Sequence, residues 1–175
     1  MFSWRRFQER KQGAQTLRAE VLAHHDRLVE STRALSGAEW LALPDDFNLR
    51  FELLILLVSV QLFLWRRVAQ PEAEARIAQL WEIVFEGFDN TLRLQGVSDI
   101  RMAGRIRKLL GYATGRRKAY LDALGGGDRH AFCAAIGRNV LNGAPADDPR
   151  VQQLITQTRA TFPGDHFLLE DTETS

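Results

Sequence analysis

Apolar positions recur at helical intervals along nearly the whole chain, and strict alternation of the strand kind is scarce. From about Glu9 to Thr32, Leu17, Val21 and Leu28 share a stripe that continues to Leu35, with His24 or His25 on it. Ser36-Gly-Ala-Glu39 reads as a capping box that opens a short helix ending before Pro44. After the turn Pro44–Asn48, Asp45 or Asp46 caps an apolar helix from about Leu49 to Gln70. Ile77, Leu80, Trp81, Val84, Phe85, Phe88 and Leu92 fit the i, i+3, i+4, i+7 template, and Gly96 suits a left-handed stop after them. Ser98 or Asp99 then opens a helix that reaches about Leu124 and is stopped by Gly125-Gly-Gly127. Asp128 caps a fifth helix, with Phe132, Ala135, Ile136 and Val140 on one face and Gly143 at its end. Asp148-Pro149 is an N-cap followed by Pro at N1, ahead of Val151, Leu154, Ile155 and Thr158. The pattern predicts an all-α, single-domain bundle of about six helices. It has an N-terminal helix over 1–34, a helical core over 35–160 and a loose acidic tail over 161–175.

The most apolar run, Phe51–Trp65, is 15 residues long and holds Glu52 and Gln61. A membrane-spanning helix needs roughly 20 apolar residues, so this run is expected to be a buried core helix. The N-terminus has no apolar stretch of the secretory kind. It does interleave Phe2, Trp4 and Phe7 with Arg5 and Arg6, a mixture that suits an anionic membrane surface as well as an ordinary terminus.

Composition adds little until charge is mapped onto position. In 175 residues, 23 Lys and Arg stand against 22 Asp and Glu, and the near-balance argues against a strongly basic nucleic-acid binder. The single Cys133 excludes an internal disulfide and a four-cysteine zinc site. Yet Arg101, Arg105, Arg107, Lys108, Arg116, Arg117 and Lys118 occupy one predicted helix with no acid among them. Taking those seven from the chain's net charge of +1 leaves −6 for the rest. Three readings of this helix stay open. It is a solvated face pairing with Glu82, Glu86 and Asp89 of the preceding helix, a docking face for ribosomal RNA, or a contact for a membrane surface or an acidic protein. Gly104, Gly111 and Gly115 share one face of the same helix and imply close approach, either by another part of the protein or by a partner helix.

The common catalytic patterns are missing. Gly125-Gly-Gly-Asp-Arg129 lacks the ending of a phosphate loop and follows a helix, and there is no HExxH, GxSxG or CxxC. His130 and Cys133 lie one helical turn apart, which is weak support for a nucleophile. The expectation is a binding protein rather than an enzyme, with no cofactor and no metal.

Four blocks, taken together, resemble the ubiquinol–cytochrome c chaperone family. They are Leu49-Arg-Phe-Glu-Leu-Leu54, Phe85-Glu-Gly-Phe-Asp-Asn-Thr-Leu-Arg93, Gly96-Val-Ser-Asp-Ile-Arg-Met-Ala-Gly-Arg-Ile-Arg-Lys108 and Gly115-Arg-Arg-Lys-Ala-Tyr120. The resemblance spans roughly Leu35–Gly143. It implies a chaperone that binds newly made cytochrome b, or another nascent membrane protein, during assembly of ubiquinol–cytochrome c reductase. It also implies work near the ribosome, a second chaperone subunit, and a place in the cytoplasm, peripheral at the inner membrane (the mitochondrial matrix in a eukaryote). The chain looks like a bacterial member. A client groove is expected around Trp81, Phe85, Phe88, Asp89, Gly111, Tyr112 and Gly115. The rival reading is a general RNA- or ribosome-associated helical protein without a cytochrome client.

Overall fold

Among the described residues there are six α-helices and one 3-10 turn, as the periodicity predicts: α1 (Phe2–Ser36), the turn Glu39–Leu41, α2 (Phe47–Arg67), α3 (Ala73–Leu94), α4 (Asp99–Gly125), α5 (Arg129–Asn139) and α6 (Pro149–Thr161). The computed structural model describes residues 2–68, 72–96 and 98–163, of which 2–10, 99 and 100 are described in backbone only. The aromatic and basic side chains expected at a membrane surface, Phe2, Trp4, Arg5, Arg6 and Phe7, therefore lie outside the described residues, as does most of the acidic tail.

The helix ends follow the chemistry of their capping residues. Asp46 accepts from the Leu49 amide at 2.9 Å, Asp128 from Ala131 at 2.9 Å and Asp148 from Arg150 at 2.9 Å. Gly96 takes φ +76°, the left-handed stop expected of it. The capping box at Ser36 does not form. Helix α1 runs on through this residue, whose hydroxyl donates to the Arg33 carbonyl at 3.2 Å, and Ala38 precedes the 3-10 turn without a side-chain cap. The reason is Leu35, which is buried and holds the last turn of α1 against the core.

Helix α2 is the centre of the bundle. Leu53, Ile55, Leu56, Leu57, Val58 and Val60 are all fully buried, so every side of the helix is covered. Each contributes about 1.5–3 kcal/mol by burial. By length and composition α2 could cross a membrane, but 72% of its most apolar window is buried within the bundle. Helices α1, α3 and α4 surround it. Its buried Ser59 hydroxyl is satisfied locally, donating to the Ile55 carbonyl at 2.7 Å. Helices α5 and α6 complete the core from the far end of α4, where Tyr120 and Phe132 meet edge-on with centroids 5.8 Å apart.

After α5 the chain doubles back onto the helix, with the Gly143 amide donating to the Gly137 carbonyl at 3.0 Å. A Cβ on Gly137 would stand 2.2 Å from the Ala144 carbonyl oxygen. Gly137→Ala should therefore cost about 2 kcal/mol or more, since backbone must move to admit the methyl. Chemical denaturation would show this as a lower midpoint with an unchanged slope.

His24 packs edge-on against Trp65 at 5.2 Å, and Arg27 donates to its Nδ1 at 2.7 Å, which requires that nitrogen to be unprotonated. Burial first, and Arg27 second, hold its pKa below the ordinary histidine value, with the Gln61 side chain opposing more weakly. The unfolded chain then binds the proton more readily than the folded one. His24 should cost stability as pH falls through the unfolded value of about 6.5. Melting scans across that range should show a steeper acid loss for the parent than for His24→Gln.

Candidate functional site

The aromatic residues of α3 form a connected series. Trp81 and Phe85 have centroids 5.6 Å apart, Phe85 and Phe88 meet edge-on at 5.5 Å, and Phe88 reaches Phe51 at 5.3 Å and Phe47 at 6.1 Å. Where this series meets α1 and α2, a cleft of about 300 Å³ opens. Its walls are Val29, Phe47, Phe51, Leu54, Val84 and Phe88, and its rim carries His25, Arg33 and Arg50. The volume is at the small end for a binding pocket and suits apolar side-chain anchors rather than a whole helix. Gly87 keeps one wall low: the nearest atom to a Cβ there would be His25 Nε2, at 4.0 Å.

Of the expected groove residues, Trp81, Phe85 and Phe88 touch one another, but Phe88 alone lines the cleft, and the others lie elsewhere. Asp89 pairs with Arg93 at 2.7 Å on its own helix. Tyr112 is 54% exposed, with the Arg116 guanidinium 5.2 Å from its ring centre. Gly111 and Gly115 are exposed, and a Cβ on either, or on Gly104, would meet nothing within 4 Å. These glycines face away from the bundle, opposite buried Ala113. They permit no close helix approach within the protein, which removes the internal-packing explanation for them. Sequence reasoning missed Phe47, Val29, Arg33 and the part of Gly87. Phe47 sits at the start of α2 and looks like a turn residue, and Arg33 belongs to a helix read only for its apolar stripe.

The seven cations of α4 divide into two sets. Arg101, Arg105, Arg107 and Lys108 stand exposed on its first half, with no ion pair to another described residue. They do not pair with the acids of α3, as one reading supposed. Arg18 of α1 takes Glu86 at 2.8 Å and Glu82 at 3.8 Å. Lys118 pairs with Asp122. Arg116 and Arg117 turn inward. Arg116 is paired with Glu52 of α2 and lies over the Phe51 ring at 5.7 Å, while Arg117 lies 4.9 Å over the Trp81 ring. Burial pushes the Glu52 carboxyl above its ordinary range, against the pull of Arg116.

A second cleft of about 720 Å³ lies between α5 and the loop before α6 and is lined in part by Cys133 and His130. Gln152 donates to the Cys133 sulfur at 3.6 Å. Among the described residues, no group of three or more His, Cys, Asp and Glu is placed to hold a metal ion.

The fold and site thus define an all-α bundle with an aromatic cleft between three helices and a separate, exposed basic face. The chain belongs to the ubiquinol-cytochrome C chaperone family, whose model matches residues 39–163. Its fold is similar to that of the crystal structure of the Cbp3 homolog from Brucella abortus, at a TM-score of 0.63 and 23% sequence identity, covering 89% of this chain and 84% of that one. No curated protein matches the sequence.

Because the outward glycines of α4 meet no neighbour, Gly104→Ala, Gly111→Ala and Gly115→Ala should each raise stability by up to about 1 kcal/mol through helix propensity alone. A loss on any of them in thermal melts would show that the face is covered within the folded chain.

Proposed function

We propose that the chain is a non-catalytic assembly chaperone that binds newly made cytochrome b for assembly of ubiquinol–cytochrome c reductase. Family membership supports the chaperone class, and the aromatic cleft is the observation that carries the binding mode. Apolar side chains of a client helix, at i, i+3, i+4 and i+7 spacing, would enter between α1, α2 and α3. Arg33 and Arg50 at the rim would face the polar flank of that helix. Arg50 is already engaged with Asp45 through two 2.6 Å contacts, so its position is fixed.

The exposed cations on the first half of α4 serve docking at the membrane or ribosome. Four exposed charges beside a glycine face, with Leu110 48% exposed next to them, make a surface that phosphate groups can approach closely. Such docking weakens with salt. The chaperone works in the cytoplasm at the inner membrane, or in the mitochondrial matrix of a eukaryote, alongside a second chaperone subunit.

Tagged protein recovered from membrane-containing lysate, with and without ribonuclease, tests both parts. Cytochrome b should be retained after ribonuclease. Gly87→Leu fills the cleft mouth without removing a core side chain, and should abolish that recovery at an unchanged melting temperature. Replacing Arg101, Arg105 and Lys108 by Glu should reduce recovery with membranes or ribosomes and flatten its salt dependence. Arg116 is left intact because its loss would strand Glu52. If cytochrome b is absent and ribosomal proteins vanish with the RNA, the general RNA-associated reading takes over.

A further inference from the structure

Arg116 and Arg117 are neighbours in sequence and both lie over aromatic rings, yet only one has a carboxylate. Arg116 has Glu52 against its guanidinium and the Phe51 and Tyr112 rings beside it. Arg117 has the Trp81 ring at 4.9 Å, and among the described residues no hydrogen-bond acceptor reaches its guanidinium. The nearby acids are committed elsewhere. Glu74 pairs with Arg66 at 3.2 Å, and Glu82 and Glu86 with Arg18. Arg117 is partly buried, and its cationic form is disfavoured first by that burial and then by Arg66. The Trp81 indole N–H is itself buried without an acceptor. A partly desolvated guanidinium with five donors and no acceptor is costly to keep, and so is an unmatched indole N–H.

We infer that Arg117, seated on Trp81 at the seam of α3 and α4, is the docking point for an Asp or Glu side chain of a partner protein. The carboxylate would complete at Arg117 what Glu52 completes at Arg116. Apolar residues beside it in the partner would cover Trp81 and Phe85, both only partly buried here. Trp, Phe and Arg together have the composition of a protein-interface hot spot. A phosphate-rich partner would instead be drawn to the fully exposed row Arg101, Arg105, Arg107 and Lys108, where four cations act together. The inference concerns a face separate from the aromatic cleft and stands whatever occupies that cleft.

The test follows the Trp81 indole signal in nitrogen-15 NMR spectra of the full chain, assigned with Trp81→Phe. The probe is a synthetic amphipathic helical peptide with Leu at i, i+3, i+4 and i+7 and flanking Glu, alongside a twin in which every Glu is Gln. The acidic peptide should shift the indole signal, and the Gln twin should bind roughly tenfold more weakly, as the loss of a bidentate charge pair implies. Arg117→Gln should remove that difference, Arg117→Lys should restore part of it, and Arg105→Gln should leave it unchanged. The inference falls if the two peptides bind alike, if neither moves the signal, or if an oligouridine moves it instead. The comparison of peptides on the parent chain decides the matter even should Arg117→Gln fail to fold.

Discussion

Everything in this bundle depends on the need to cover α2 on all sides. Its fully buried Leu, Ile and Val side chains leave no face that water can tolerate, so at least three other helices must wrap it. Helices α1, α3 and α4 do so with one face each, which frees their outward faces from any packing duty. The aromatic cleft lies where this wrapping is incomplete, between α1, α2 and α3. Closing it with larger side chains would add burial; Gly87, set in the middle of α3, keeps it open.

A second constraint is the distribution of carboxylates. The acids of α3 that could have neutralised α4 are spent on Arg18, which ties α1 to α3 across the cleft-bearing side of the bundle. Among the described residues, the first-half cations of α4 pair with no acid. Glu52 is the exception. It stands on the most apolar helix and is only 13% exposed, held there by Arg116. Losing either partner would leave a charge stranded against the core, a cost of several kcal/mol. One ion pair therefore anchors α4 to α2 and fixes the directions in which Arg117 and the outward glycines point.

The fold was legible because six amphipathic or apolar stripes, and the Asp caps at 46, 128 and 148, each pointed to the same answer. The Ser36 box misled because a local hydrogen-bonding pattern competed with the burial of Leu35, and burial was worth more. The candidate site was half legible. Periodicity placed Trp81, Phe85 and Phe88 on one helix, and of these Phe88 lines the cleft. It could not find Phe47 or Val29, which join them only through tertiary contact. Charge counting saw seven equivalent cations on α4, whereas Glu52 and the Phe51 and Trp81 rings, which only tertiary contact supplies, set Arg116 and Arg117 apart. The glycines were read for close approach, either inside the protein or by a partner helix, and the open space beside them, opposite buried Ala113, shows them facing out.

The stretch that matches the family begins at residue 39, after α1 has ended, yet α1 supplies His25, Val29, Thr32 and Arg33 to the cleft. The family-wide part of the chain thus carries the floor of the cleft and the basic helix, while one wall comes from outside it. A floor built on α2 and α3 is set by the same residues that fold the core, so it cannot change much without loss of stability. A wall built on α1 is under no such restriction, because only one stripe of that helix packs inward. Differences in what such a cleft accepts are then most cheaply made on α1, at a position such as Arg33, which lines the cleft and is exposed.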